Sequence, residues 1–121
     1  MEGTPSAVGV TDNTIVCSGH ALVVQNTNTG PDTSCTQTHE SSHIADWQGR
    51  YGNDLCKDVG DGFLPTGGPG YDAFLKRSEC KAYRAGKTCR TALLRNAADA
   101  DKPAIQAGID RDNTQITANC A

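Results

Sequence analysis

The stretch THESSH at residues 38–43 decides how this chain is interpreted, because its last five letters have the form H-E-x-x-H. On an α-helix, His39 and His43 lie one turn apart on the same face, where both imidazoles can bind one zinc ion. Glu40 is rotated by roughly 100° from His39, which suits it to act as a general base on a water at the metal. The motif therefore predicts a helix with two zinc ligands and a catalytic carboxylate. The alternative is a solvated helix with two incidental histidines.

Start and stop signals bound this helix. Residues 32–34 are all suitable N-caps, and Gly52 can end the helix, so we expect it to run from about Cys35 to about Arg50. Trp47 lies one turn after the second histidine and is predicted to anchor the helix to the core.

A β-hairpin is predicted before the helix. Two short apolar runs, residues 14–17 and 21–24, flank a turn signal at Ser18-Gly19, with His20 at the turn. Such a hairpin needs a helix to cover its apolar face. After the helix, residues 56–70 are so rich in glycine and proline that no regular element is expected there.

Three more helices are predicted in the second half of the chain. One runs over residues 71–85 and ends at Gly86, the next covers about residues 89–98, and the last opens at residues 101–103. The predicted fold class is α+β and mainly helical. A small N-terminal hairpin is expected to pack on the H-E-x-x-H helix and on a second helix that carries a ligand.

Composition predicts one small domain that needs covalent support. Of 121 residues, only 5% are aromatic, and the mean hydropathy is −0.50. We expect residues 1–13 to be a linker or expression remnant and residues 14–121 to form a single domain. Six spaced cysteines without a C-x-x-C pair predict three disulfides of undetermined pairing, the alternative being reduced thiols in a cytosolic protein. These cysteines are Cys17, Cys35, Cys56, Cys80, Cys89 and Cys120.

Charge and hydropathy argue against two kinds of partner. The net charge is −3 and no basic run appears, so nucleic acid is not expected as a partner. No apolar run approaches transmembrane length, so no membrane partner is expected. Disulfides indicate an extracellular or periplasmic compartment, although residues 1–5 lack the features of a signal peptide. We therefore expect a secreted monomer whose signal was removed or whose carrier is larger.

A third zinc ligand must come from another part of the chain, because catalytic zinc typically takes three protein ligands and keeps one position open. Glu79 is favoured, since it lies inside the second predicted helix, after a turn-rich return that can bring that helix alongside the first. His20 sits at a predicted turn. Asp46 follows His43 by three residues and is better placed to orient an imidazole than to reach the metal. Tyr83, one turn after Glu79, is expected either to face the metal and stabilise an oxyanion or to pack as a helix tyrosine.

These residues resemble a known family. The motif followed by a helical Glu79 resembles the gluzincin branch of zinc metallopeptidases, which implies a metallopeptidase-like domain. Cys35 before the motif and Ser78-Glu79-Cys80 after it resemble small metallopeptidase domains of bacterial polymorphic toxins and secretion-system effectors, over about residues 35–90. Tyr83 departs from the thermolysin-like pattern, which has an acidic residue there. The resemblance implies zinc-dependent cleavage of a protein or peptide substrate, delivery as a toxin or effector, and a cognate immunity protein.

Two other functions stay open. A peptidoglycan amidase or endopeptidase would use the same ligands, and assays on muropeptides against proteins would separate it from a protease. A non-catalytic, disulfide-rich binding module would hold a structural or vestigial metal. Glu40 argues against the module, because a structural site needs no general base.

Overall fold

The computed structural model describes residues 7–9 and 13–121, which form two small antiparallel sheets and three helices. This confirms the predicted α+β, mainly helical class. The elements in chain order are β1 Ala7–Gly9, β2 Thr14–Ser18, β3 Ala21–Gln25, α1 Thr33–Tyr51, β4 Phe63–Pro65, α2 Tyr71–Arg95 and α3 Lys102–Asn119.

The predicted hairpin is formed by β2 and β3, with Ile15 opposite Val24. Gly19 and His20 make the turn with φ of 58° and 65°, the left-handed conformation that a two-residue hairpin turn requires. Four of the five β2 residues are buried, and both strands pack on α1. The prediction that a helix covers this hairpin is confirmed.

The core lies where the hairpin, α1, β4 and the start of α2 meet. Ile15, Trp47, Leu64 and Tyr71 form its buried cluster. The indole Nε1 of Trp47 donates a hydrogen bond to the carbonyl oxygen of Pro65 at 2.8 Å. Trp47 is therefore the anchor of α1, as its position in the motif helix predicted.

The prediction that residues 56–70 hold no regular element is wrong. Phe63–Pro65 forms β4, which pairs with β1, and Leu64 is fully buried. The partner strand Ala7–Gly9 lies inside the stretch that was predicted to be a linker, and the rest of that stretch, apart from Asn13, is outside the described residues. A strand this short is specified by its distant partner rather than by its own composition.

The prediction that Gly86 ends a helix is also wrong. α2 is one continuous helix of 25 residues that ends at Arg95, so it contains the helix predicted at residues 71–85 and most of the one predicted at residues 89–98. A Cβ atom at position 86 would lie 2.9 Å from Nη1 of Arg90, closer than real Cβ contacts. Gly86 makes room for the Arg90 side chain instead of stopping the helix.

Three disulfides connect the elements, as predicted, and all six cysteines take part. Cys17–Cys56 ties β2 to the segment after α1, Cys35–Cys89 ties α1 to α2, and Cys80–Cys120 ties α2 to the end of α3. Such bonds are typical of an oxidising, extracellular environment. In the part of the chain that the structure describes, no helix has both the length and the apolar character needed to cross a bilayer.

Candidate metal centre

His39 and His43 on α1 face Glu79 on α2, and each can offer one ligand atom to a common point. These three ligand atoms all lie within 4.8 Å of one another. His43 is fully buried, while the His39 and Glu79 side chains are each 13% exposed. The structure therefore brings together the three residues that the sequence analysis selected, in a group that could hold a metal ion.

Hydrogen bonds fix the protonation of the His43 ring. Oγ of Ser78 lies 2.6 Å from Oδ2 of Asp46 and donates its hydrogen to that carboxylate. The same Oγ is 2.7 Å from Nδ1 of His43, so it accepts a hydrogen bond from an N–H group at that nitrogen. In a neutral imidazole the lone pair is then on Nε2, the nitrogen that points toward Glu79.

The Nε2 lone pair provides a test of whether a cation fits this site. Nε2 of His43 is 2.9 Å from Oε1 of Glu79, yet it is buried and makes no hydrogen bond of acceptable geometry. Two lone pairs this close repel each other unless a positive charge lies between them. A proton shared by the two atoms, which would also lower the pKa of Glu79, or a metal ion bound to both atoms would supply that charge. The donor set fits a cation.

Glu40 lies almost equally far from both imidazoles. Its Oε1 is 3.8 Å from Nε2 of His39 and 3.9 Å from Nε2 of His43, too far for direct hydrogen bonds. Burial, reinforced by the charge of Glu79, raises the pKa of Glu40 from 4.5 to about 8. Among the residues that the structure describes, no positive charge is paired closely enough with the buried Glu40 carboxyl to offset the effect of burial on its pKa.

The pKa values of His39 and Glu79, the two candidate ligands beside Glu40, are both shifted to favour metal binding. Burial, followed by the influence of His43, lowers the pKa of His39 from 6.5 to about 4, so its ring is neutral and free to bind a metal at neutral pH. Burial alone would raise the pKa of Glu79, but attraction to His43 lowers it overall, so Glu79 is ionised. A neutral imidazole and an ionised carboxylate are the forms that bind metal ions.

Tyr83 packs against the centre from α2. Its ring meets the His39 ring edge to face, with centroids 4.5 Å apart. Burial, together with the charges of Glu79 and Glu40, raises the pKa of Tyr83 to about 12. Its hydroxyl is therefore protonated at neutral pH and can donate a hydrogen bond.

The two alternative third ligands lie elsewhere. His20 is at the hairpin turn, and neither it nor Asp46 belongs to the three-residue group. Asp46 contacts His43 through Ser78, and Nζ of Lys81 lies 2.7 Å from its other carboxylate oxygen. The spacing of Asp46 from His43 predicted that Asp46 orients a ligand, but the role of Ser78 between these two residues was not predicted.

A buried ion cluster behind the centre was also missed. Arg90 donates from Nε to Asp32 at 2.8 Å, from Nη1 to both oxygens of Asp112, and from Nη2 to Oγ1 of Thr36. Asp32 occupies the N-cap position of α1, but its carboxylate accepts from Arg90 instead of capping the helix. The cluster joins the start of α1 to α2 and α3, one helical turn from the motif.

Comparisons of this chain with protein-family models, with curated proteins and with solved structures found no match. The arrangement of side chains described above is therefore what supports a functional assignment.

Proposed function

We propose that this protein is a zinc-dependent hydrolase of peptide bonds. One observation carries the proposal: the Glu40 carboxyl lies 3.8 and 3.9 Å from the Nε2 atoms of the two histidines. A metal site that only stabilises the fold does not need a buried carboxyl at that position. A general base beside a metal ion does need one.

The donor set supports zinc as the ion. Two imidazole nitrogens and one carboxylate oxygen, from His39, His43 and Glu79, make three protein ligands and leave a fourth position open. When bound there, zinc supplies a Lewis acid that polarises the substrate carbonyl and makes water a stronger nucleophile.

The side chains of this protein then have distinct roles. Glu40 takes a proton from the attacking water as the water oxygen bonds to the carbonyl carbon. The C–N bond breaks, and Glu40 returns the proton to the departing nitrogen. Tyr83 donates a hydrogen bond to the carbonyl oxygen as negative charge develops on it. Asp46 and Ser78 are positioning residues that hold His43 with Nε2 free for the ion.

We further propose that the protein acts outside the cell that makes it, as a toxin or effector domain. The three disulfides support an oxidising destination. The toxin role and a cognate immunity protein rest on the resemblance of residues 35–90 to metallopeptidase toxin domains. Protein or peptide substrates follow from the same resemblance.

The test is the Glu40→Gln variant, assayed for metal content and for cleavage of an unstructured peptide mixture by mass spectrometry. Zinc content should stay at one ion per chain while cleavage falls by about 100-fold or more. Asp58→Asn, which removes an exposed carboxylate, is the matched control and should retain full activity. Equal cleavage by Glu40→Gln and the parent would rule out the general base. Zinc without any cleavage by the parent would favour the binding module.

A further inference from the structure

Two cavities share Tyr83 as a lining residue, and each of them includes residues of the metal centre. The larger, of about 410 Å³, lies over Glu79 and includes Leu75 and Gln115 in its lining. The smaller, of about 130 Å³, lies over His39 and Glu40. Tyr83 lines both, so a chain bound across the tyrosine would place one part of itself in each cavity.

The small cavity has room for a group the size of a carboxylate. Its volume is about a third of that of the larger cavity. Asn13, at the start of the hairpin, closes one side. The Oδ1 atom of Asn13 accepts hydrogen bonds from the backbone and hydroxyl of Thr27, so this wall is held in place.

Arg111 is the one charged side chain of the small cavity that forms no ion pair within residues 7–9 and 13–121. Arg90 is paired with both Asp32 and Asp112 in the buried ion cluster, and Arg111 attracts Asp112 without forming an ion pair with it. Glu40 faces the two imidazoles. Arg111 is exposed, and no ion pair among the described residues includes it. A guanidinium at the mouth of a small polar cavity is suited to bind a carboxylate through two parallel hydrogen bonds.

We propose that the small cavity binds a carboxylate of the substrate, next to the scissile bond, through the Arg111 guanidinium. This inference rests on the proposed peptidase function and narrows its substrates. The carboxylate can come from the C-terminus of a peptide, which would make the protein a carboxypeptidase, or from an aspartate or glutamate side chain. The larger cavity takes the rest of the peptide, since it has about three times the volume.

The test measures binding in the zinc-loaded Glu40→Gln protein, so that turnover does not interfere. Three short acetylated peptides are compared by calorimetry: one with a free C-terminal carboxylate, its C-terminal amide, and an amide whose last residue is glutamate. At least one carboxylate peptide should bind about 10-fold or more tightly than the neutral amide. A preference for the free acid identifies the chain end as the source, and a preference for the glutamate amide identifies the side chain.

Substitutions at Arg111 test whether its guanidinium causes the preference for peptides that carry a carboxylate. Arg111→Gln should reduce the preference to within about twofold, while Arg111→Lys should keep part of it because the charge remains. Arg77→Gln, which changes an exposed arginine that lines neither cavity, should keep all of it. Equal binding of all three peptides, or binding of none, would overturn the inference. So would an unchanged preference in Arg111→Gln, which would assign the carboxylate to the zinc. Cleavage by the parent protein, measured separately, judges the proposed function independently.

Discussion

Replacing Glu40 by glutamine is expected to stabilise the metal-free protein, although the same change removes the proposed general base. Glu40 is only 4% exposed, and burial raises its pKa from 4.5 to about 8. In the unfolded chain the same carboxyl ionises freely in water. Ionisation therefore favours unfolding, and glutamine, which cannot ionise, removes that penalty.

The sign and size follow from the two pKa values. Below pH 4.5 the carboxyl is protonated in both states, so it adds no penalty. As the pH rises from there to about 8, the unfolded state loses its proton first, and each pH unit costs the folded protein about 1.4 kcal/mol. At pH 7 the penalty reaches about 3 kcal/mol. The low pKa of His39 gives an opposite slope below pH 6.5, but it is common to both proteins and cancels from their difference.

The assay is urea denaturation of both proteins in the presence of a metal chelator, at pH 5 and at pH 7.5. The advantage of Glu40→Gln should grow by about 3 kcal/mol between these two values. Adding zinc should shrink the advantage, because a cation stabilises the ionised carboxylate. Asp58→Asn, at an exposed position, should show no such growth. A stability difference that is independent of pH would refute the assignment of Glu40 as a destabilised buried carboxyl.

Three further predictions concern zinc binding, the packing around Arg90 and the disulfides. Ser78→Ala should weaken zinc binding by about 10–100-fold, measured by competition with a chelator, because the His43 ring loses the partner that fixes its protonation. Gly108→Ala should destabilise the protein by about 1–3 kcal/mol in thermal unfolding, since its Cβ would lie 2.7 Å from Nε of Arg90. Gly49→Ala, which meets no neighbour, should be neutral or stabilising. Alkylation of the denatured, unreduced protein should label no cysteine, and any labelled thiol would contradict the three disulfides.

Local patterns accounted for much of the fold and for the three residues of the candidate site. H-E-x-x-H depends on helical periodicity alone, and the hairpin depends on two apolar runs around a turn. Glu79 could be selected because few other residues were available as a third ligand. The helix and the hairpin were predicted from a few neighbouring positions, and Glu79 was predicted from the small number of possible zinc ligands in the chain.

The features that were not predicted from the sequence depend on contacts between residues far apart in the chain. Gly86 looked like a helix stop because its true reason, the path of Arg90 toward Asp32 and Asp112, lies in two other elements. The link from Ser78 to His43 and Asp46 could not be predicted, since both of these partners are on α1. β4 could not be anticipated because its pairing depends on a strand more than fifty positions earlier.

The most direct test of the central claim is an anomalous difference map at the zinc edge, from crystals of the zinc-loaded protein. We predict one strong peak at about 2.0–2.2 Å from Nε2 of His39, Nε2 of His43 and a carboxylate oxygen of Glu79. Glu40 should lie beside the peak without being a ligand. A peak coordinated by His20 or Asp46, or no peak between α1 and α2, would contradict the account.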